Sequence, residues 1–375
     1  MYERKLNRIL DKWLFKGKAI ILTGARQVGK TTLLKNYFSQ KDNVLWLNAD
    51  ESIVRTRLEE ESVSSLRQLI GSYQVIIIDE VQRIRNAGLI LKLITDNFKE
   101  TQLIATGSSS IEIGSNIFEP LTGRHLLFHL YPMSFSELYQ PKSSFDAEKL
   151  LPFHLIYGSY PDICVHREEA EIYLKNLTNQ YLYKDILMWQ KIRKPDLLDN
   201  LLRLLAYQVG SEVSHHELSK KLKIKSETVE NYIDLLEKSF VIFRLNAFSN
   251  HPRKEVTKMS KIYFWDNGVR NTLINDFEDL SLRNDVGQLW ENYIISERLK
   301  MLGYNNSNRK TWFWRNYNQS EVDYLETKNN FIHAYEIKWN HKKTHKISRA
   351  FTNQYPQSEN EIITPRRFLK FVTEP

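Results

Sequence analysis

The sequence predicts an α/β fold that opens on a parallel sheet and carries further α/β material behind it. Three observations lead there. AIIL at 19–22 and VIII at 75–78 are short, wholly apolar runs, as strands buried on both faces of a parallel sheet require. Between them lie segments with helical spacing, such as LLKNYF at 33–38. Far downstream, KTWFWR, EVDYLET and FIHAYEIKWN read as strands with charged residues set inside them.

The chain has 375 residues, more than one hydrophobic core usually fills, so several domains are expected. With 42% hydrophobic and 26% charged residues it has the composition of an ordinary globular protein. Its single cysteine, Cys164, excludes an intrachain disulfide and argues against a cysteine zinc site, which predicts a reducing, cytoplasmic setting. The start MYERKLNRIL has no apolar signal region, and the apolar runs are too short for a bilayer, so no membrane association is expected. A net charge of +8 suits a polyanionic partner, and equally a basic surface that binds nothing.

Strand, glycine loop and helix follow one another from residue 18. KAIILT is the strand, Gly24-Ala25-Arg26-Gln27-Val28-Gly29-Lys30-Thr31-Thr32 the loop, and LLKNYF resumes the helix. The two glycines let consecutive N–H groups face a phosphate, and the helix N-terminus adds the positive end of its dipole. Lys30 then reaches the β- and γ-phosphates of ATP, and the Thr31 hydroxyl ligates Mg²⁺. The strand ending in Asp79 and Glu80 completes the set: Asp79 holds Mg²⁺ through water, and Glu80 orients or deprotonates the attacking water. A third strand, QLIATGSSS, ends in Ser108, Ser109 and Ser110, where a hydroxyl can sense the γ-phosphate; a serine turn that satisfies only its own backbone is the alternative.

GARQVGKT, IIIDEVQR, IATGSSS and LTGRHLLFHLYPMSFSEL together resemble the prokaryotic AAA-type (AAA+) P-loop ATPases that carry an uncharacterised nuclease-like C-terminal domain. YGSYPDI, KIYFWDNG, EVDYLET and YEIKWN extend the likeness over nearly the whole chain. The resemblance implies that Arg124, of the LTGR segment, acts as an arginine finger across a subunit interface of a homo-oligomer; a surface arginine on a strand edge is the other reading. It also implies an ATPase core over 1–140 and a helical lid over 141–207. Leu174, Leu177, Tyr181 and Leu182 are spaced for one apolar face of such a lid, after a turn at Gly158 and Pro161.

Over 208–270 a winged-helix-like domain is expected. Ser214 and Glu217 form a capping box before HELSKKL, and after a four-residue turn Ser226 caps a second helix with Val229, Ile233 and Leu236 on one face. VIFRLNAF and KIYFWDNG supply the wing strands. The second helix exposes Glu227, Glu230, Asp234 and Glu237, which argues against major-groove reading; Lys220, Lys221, Lys223 and Lys225 suit phosphate contacts.

Residues 271–375 give QLWENYIISERLK as an amphipathic helix, then the three strand-like segments. Asp323 on one strand and Glu336-Ile337-Lys338 on the next resemble the PD-(D/E)xK nuclease pattern, with Val322 in place of its proline. In that pattern Asp323 and Glu336 hold Mg²⁺ and Lys338 stabilises the phosphoryl transition state or positions water. Glu291 matches an additional carboxylate on the preceding helix. A cross-strand salt-bridge set in an inactive fold explains the same residues. The whole reads as a Mg²⁺-dependent ATP-binding and ATP-hydrolysing protein acting on DNA or a DNA-associated protein. The alternative is a nucleotide-controlled regulator whose nuclease-like domain docks a protein partner.

Overall fold

The computed structural model describes residues 2–107, 119–140, 143–180, 195–249, 260–340 and 346–374. They fall into two compact units. The first comprises Met1–Tyr131 with Lys238–Phe240, and the second Pro132–Glu237 with Val241–Pro375. The chain therefore passes between the units three times.

In the first unit the order is α1 (Leu6–Trp13), β1 (Ala19–Thr23), α2 (Lys30–Tyr37), β2 (Val44–Asn48), α3 (Ser52–Leu58), α4 (Val63–Ile70), β3 (Val75–Asp79), a 3₁₀ turn at Val81–Arg83, α5 (Ala87–Asn97), β4 (Gln102–Gly107) and β5 (His125–His129). The five strands form a parallel sheet in the order β2-β3-β4-β1-β5. Residues 19–23, 75–79 and 102–107 are buried throughout, so the two apolar runs are central strands as expected. One face packs Ile21, Ile76 and Ile78 against Leu66, Ile90 and Leu91 from the flanking helices. Burying each such side chain contributes roughly 1.5–3 kcal/mol. Because β4 lies between β1 and β3, the carboxyl ends of all three meet at one edge, where α/β sheets place their ligands.

The second unit begins with α6 (Phe135–Leu138), α7 (Ser144–Tyr157), α8 (Pro161–Val165), α9 (Ala170–Gln180) and α10 (Pro195–Tyr207). Leu174 and Leu177 are buried in α9, while Tyr181 and Leu182 lie outside the described residues. The helix pair α11 (His215–Leu222) and α12 (Ser226–Lys238) follows, then the antiparallel strands β6 (Ile242–Leu245) and β7 (Lys261–Phe264). The turn between the helices has three residues, one fewer than expected, because Ser226 opens α12 rather than preceding it. Ser214 caps α11 by accepting from Glu217 N at 3.3 Å. Asp234 and Glu237 do not face solvent freely: Arg244 on β6 pairs with both.

The chain continues with α13 (Asn267–Ile274), α14 (Val286–Tyr304), β8 (Lys310–Arg315), β9 (Glu321–Lys328), β10 (Phe331–Ile337), α15 (Arg349–Gln354), β11 (Glu359–Ile363) and α16 (Phe368–Thr373). Strands β8, β9 and β10 form an antiparallel meander, and β11 returns parallel to β10. Backbone bonds from Phe248 N to Phe313 O (2.7 Å) and from Phe313 N to Asn246 O (3.0 Å) tie the stretch after β6 to β8.

Helix α14 is buried on nearly every side rather than amphipathic. Its polar positions found partners from distant segments. Arg298 meets Glu326 at 2.5 and 2.9 Å and donates to the carbonyls of Phe371 and Glu374. Glu297 accepts from Phe135 N at 2.6 Å and pairs with Lys300 at 2.7 Å.

The YGSYPDI and KIYFWDNG motifs form one buried polar knot. Asp266 accepts from Ser159 N (2.6 Å) and Val269 N (3.1 Å), Asn271 donates to the carbonyls of Leu155 and Ile156, and Asn292 exchanges bonds with the backbone of Phe264. Gly158, at φ 73°, has no room for a side chain, since a Cβ there would collide with the Asp266 carboxylate. These bonds satisfy backbone groups that burial would otherwise strand.

Candidate functional site

The first site lies at the carboxyl ends of β1, β3 and β4. Gly24 leaves β1 at φ 153°, pressed so closely on the Leu130 carbonyl that a Cβ would collide with it. Ala25 and Val28 are buried, Arg26 half-buried, and Gln27 exposed at φ 58°. Gly29, at φ 91°, is the N-cap of α2, a left-handed position that a side chain would strain. Lys30 is buried, and its ammonium donates to the carbonyls of Gly24 and Ala25, both at 2.9 Å. Thr31 opens onto the site; Thr32, one residue on, is exposed.

Thr31 Oγ1 donates to Asp79 Oδ2 at 2.8 Å, which brings the loop and the end of β3 together as the sequence led us to expect. A hydroxyl and a buried carboxylate side by side are hard oxygen ligands of the kind Mg²⁺ prefers, so these residues fit the ion. Glu80 follows in a left-handed conformation at φ 55°, and its carboxylate is contacted by the Gln82 amide.

Sequence reasoning missed Thr106. Its hydroxyl contacts Asp79 Oδ1 and accepts from Glu80 N at 3.2 Å, so it touches both the expected Mg²⁺ ligand and the expected base. A lone threonine inside the apolar run of β4 was the available signal. Ser108, Ser109 and Ser110 lie outside the described residues. Also missed was His129, whose Nδ1 lies 2.6 Å from Thr23 Oγ1 at the root of the loop; burial pushes its pKa down, which keeps the ring neutral.

Arg124 is not brought to this site. It precedes β5, whose register pairs Ala19 with His125 and Thr23 with His129, so Arg124 sits at the opposite end of the strands. Six residue steps at about 3.3 Å each separate it from Gly24 by about 20 Å along the sheet. There it pairs with Asp96 at 2.7 Å. Arg124 therefore lies at the end of the sheet away from its own loop.

The second cluster lies on the β9–β10 sheet. Asp323 accepts from Ile337 N (2.8 Å) and pairs with Lys338 (2.9 Å), which also meets Glu336 at 2.8 Å. Burial, reinforced by the charge of Asp323, pushes Glu336 up to about 7. Burial alone would lower Lys338, but the two carboxylates outweigh it and raise it. Glu336 Oε2 is buried without a hydrogen-bond partner, an orphan oxygen of the sort a cation satisfies. Glu291 on α14 borders this cluster, close enough for its charge to act on Glu336 and to feel Asp323 and Lys338, and it is also bonded: Tyr263 donates to it at 2.6 Å and Lys261 lies 3.4 Å away, itself held by Glu321 at 2.5 Å. Among the described residues no group of three or more His, Cys, Asp or Glu side chains is arranged to hold a metal. Asp323 and Glu336 are thus a two-carboxylate set that fits Mg²⁺ with water completing it. Among the described residues no helix is long and apolar enough to cross a membrane.

An AAA domain model matches residues 16–139, and two domains of unknown function match 148–280 and 286–368. An uncharacterised protein of Methanocaldococcus jannaschii is 26% identical over 343 residues, covering 85% of this chain and 74% of its own length. Another from Mycobacterium tuberculosis is 24% identical over 346 residues, 91% of this chain and 74% of that one. Among solved structures, a Walker-type ATPase of Pyrococcus abyssi superposes with a TM-score of 0.50 at 16% identity, over 73% of this chain and 96% of its own. That likeness extends to the fold alone. Residues 16–139 thus match an AAA domain model and carry, in one parallel sheet, the phosphate-type loop and the Thr31–Asp79 contact of a P-loop fold.

Proposed function

We propose that the protein hydrolyses ATP with Mg²⁺ and applies the cycle to DNA through its second unit. The observation that carries the ATPase reading is the 2.8 Å contact between Thr31 and Asp79 beneath a loop whose lysine is already drawn inward. Thr31 and Asp79 would hold Mg²⁺, which supplies charge neutralisation at the phosphoryl oxygens. Lys30 binds the β- and γ-phosphates, and the loop N–H groups bind their oxygens. Glu80 holds the attacking water, with its backbone fixed by Thr106 and its carboxylate contacted by Gln82.

The DNA reading is supported by the order α14-β8-β9-β10-α15-β11 and by the convergence of Asp323, Glu336 and Lys338 on one sheet. The helix pair α11–α12 with strands β6 and β7 supports a winged-helix-like domain over 208–270, between a helical lid over 141–207 and a nuclease-like domain over 271–375. A second reading, a docking module for a protein partner, is favoured by one observation: Lys261 and Tyr263 already occupy Glu291. ATP turnover with and without duplex DNA in Mg²⁺, alongside cleavage assays in Mn²⁺, tests the choice. DNA-stimulated turnover, with cleavage lost in the Asp323→Ala, Glu336→Ala double variant, is expected. Turnover indifferent to DNA and no cleavage by wild type would establish the docking reading instead.

A further inference from the structure

The phosphate loop is held from outside by a residue of the N-terminal segment. Arg4 is buried, and its guanidinium donates to Val28 O at 2.8 Å and to Tyr131 O at 2.7 Å. Val28 lies inside the loop, one residue before Gly29, and Tyr131 lies two residues past the end of β5. The loop is also held where it leaves β1, with Thr23 O accepting from Leu130 N at 2.7 Å and Gly24 pressed on the carbonyl of the same residue, and from within, by the Lys30 ammonium on the Gly24 and Ala25 carbonyls. Arg4 adds a clamp at the far side of the loop, on the Val28 carbonyl.

The clamp has a directional consequence. A trans peptide is planar, so its C=O and the following N–H point in opposite directions. Drawing the Val28 carbonyl outward onto the guanidinium turns the Gly29 N–H the other way, toward the interior of the loop at the start of α2. At φ 91° Gly29 would otherwise have wide backbone freedom, since glycine visits both signs of φ readily. The planar fork of arginine suits two carbonyls held in one arrangement, which the single ammonium of lysine cannot match.

We infer that Arg4 is a positioning residue for nucleotide binding, pinning the Val28–Gly29 peptide so that the Gly29 N–H is set for a phosphate oxygen before ATP arrives. The inference rests on the reading that this loop binds ATP. Because the pinning is made before binding, its loss should raise KM by a larger factor than it lowers kcat.

The test compares full-length wild type, Arg4→Ala, Arg4→Lys and Lys30→Ala by calorimetric ATP titration and by steady-state turnover. Losing a charge-assisted bond at a loop carbonyl predicts ATP binding about tenfold weaker in Arg4→Ala. Arg4→Lys, which keeps the charge but not the fork, should be weakened by about threefold. Should Arg4→Ala fail to fold, the Lys variant alone decides. A purely structural arginine would lower the melting temperature and leave the ATP affinity of the folded molecules unchanged. Wild-type affinity in a folded Arg4→Lys or Arg4→Ala protein, with binding lost in Lys30→Ala, would overturn the inference while the nucleotide reading stands. Failure of wild type to bind ATP would remove both.

Discussion

Replacing Thr106 by valine removes one hydroxyl at nearly constant volume, and the structure says where the loss is felt. The hydroxyl accepts from Glu80 N at 3.2 Å and contacts the buried carboxylate of Asp79, which keeps Thr31 as its other partner. Valine leaves the Glu80 N–H without its acceptor and Asp79 with one donor fewer. A hydrogen bond to a charged group is worth about 1.5–3 kcal/mol, and an orphaned buried donor costs a similar amount. Glu80 already sits in a left-handed conformation, so its backbone stays in place only while the surroundings hold it. If the loss falls on the transition state, turnover drops by roughly ten- to a hundredfold. ATP affinity should change little, because neither Lys30 nor the loop amides touch Thr106. Steady-state turnover and calorimetric titration of Thr106→Val, with a melting curve as control, make the measurement. Turnover within about twofold of wild type in the folded variant would refute the assignment of Thr106 to the hydrolytic set.

The remaining predictions concern both units. Glu80→Gln should bind ATP normally and hydrolyse it roughly a hundredfold or more slowly, read by comparing titration with turnover; normal turnover would reassign the base. Arg124→Ala subunits, inactive alone if the arginine acts on a neighbour, should regain activity when mixed with Lys30→Ala subunits, which lend an intact Arg124; no recovery would count against action across an interface. Arg298→Ala should destabilise the second unit by about 3–5 kcal/mol in denaturant unfolding, nearer the lower figure because Arg309 stays 3.2 Å from Glu326. A change below about 1 kcal/mol would mean that the buried carboxylate is stabilised by other means.

What could be read from the residues alone was what the chain fixes locally. Gly24 to Thr32 is one continuous stretch whose strand and helix flanks are covalently attached, so its geometry follows from spacing. Asp79 was legible because it ends an apolar strand. Thr106 and His129 were not, since each acquires its role only when the strand order brings β4 beside β3 and β5 beside β1. Helix α14 misled for a related reason. Glu297, Arg298 and Lys300 look like a solvated face in sequence, yet their partners are Phe135 N, Glu326 and the backbone of residues far along the chain. In the second cluster the Asp323, Glu336 and Lys338 triplet was visible from its spacing, whereas the capture of Glu291 by Tyr263 and Lys261 on β7 depended on a strand read as part of a different domain.

The return of Lys238–Phe240 to the first unit has a practical side. Phe240 packs against His129 with the rings tilted and their centroids 5.3 Å apart, and His129 abuts Thr23 at the root of the loop. A protease nick near residue 131 would cut the one peptide connection of residues 1–131 to the rest of the chain, leaving the packing of residues 238–240 as what holds the fragments together until denatured. Expressing residues 1–131 alone would strip the loop's foundation of an aromatic cover, and a weak ATPase from such a fragment would report that missing cover rather than the intrinsic competence of the site.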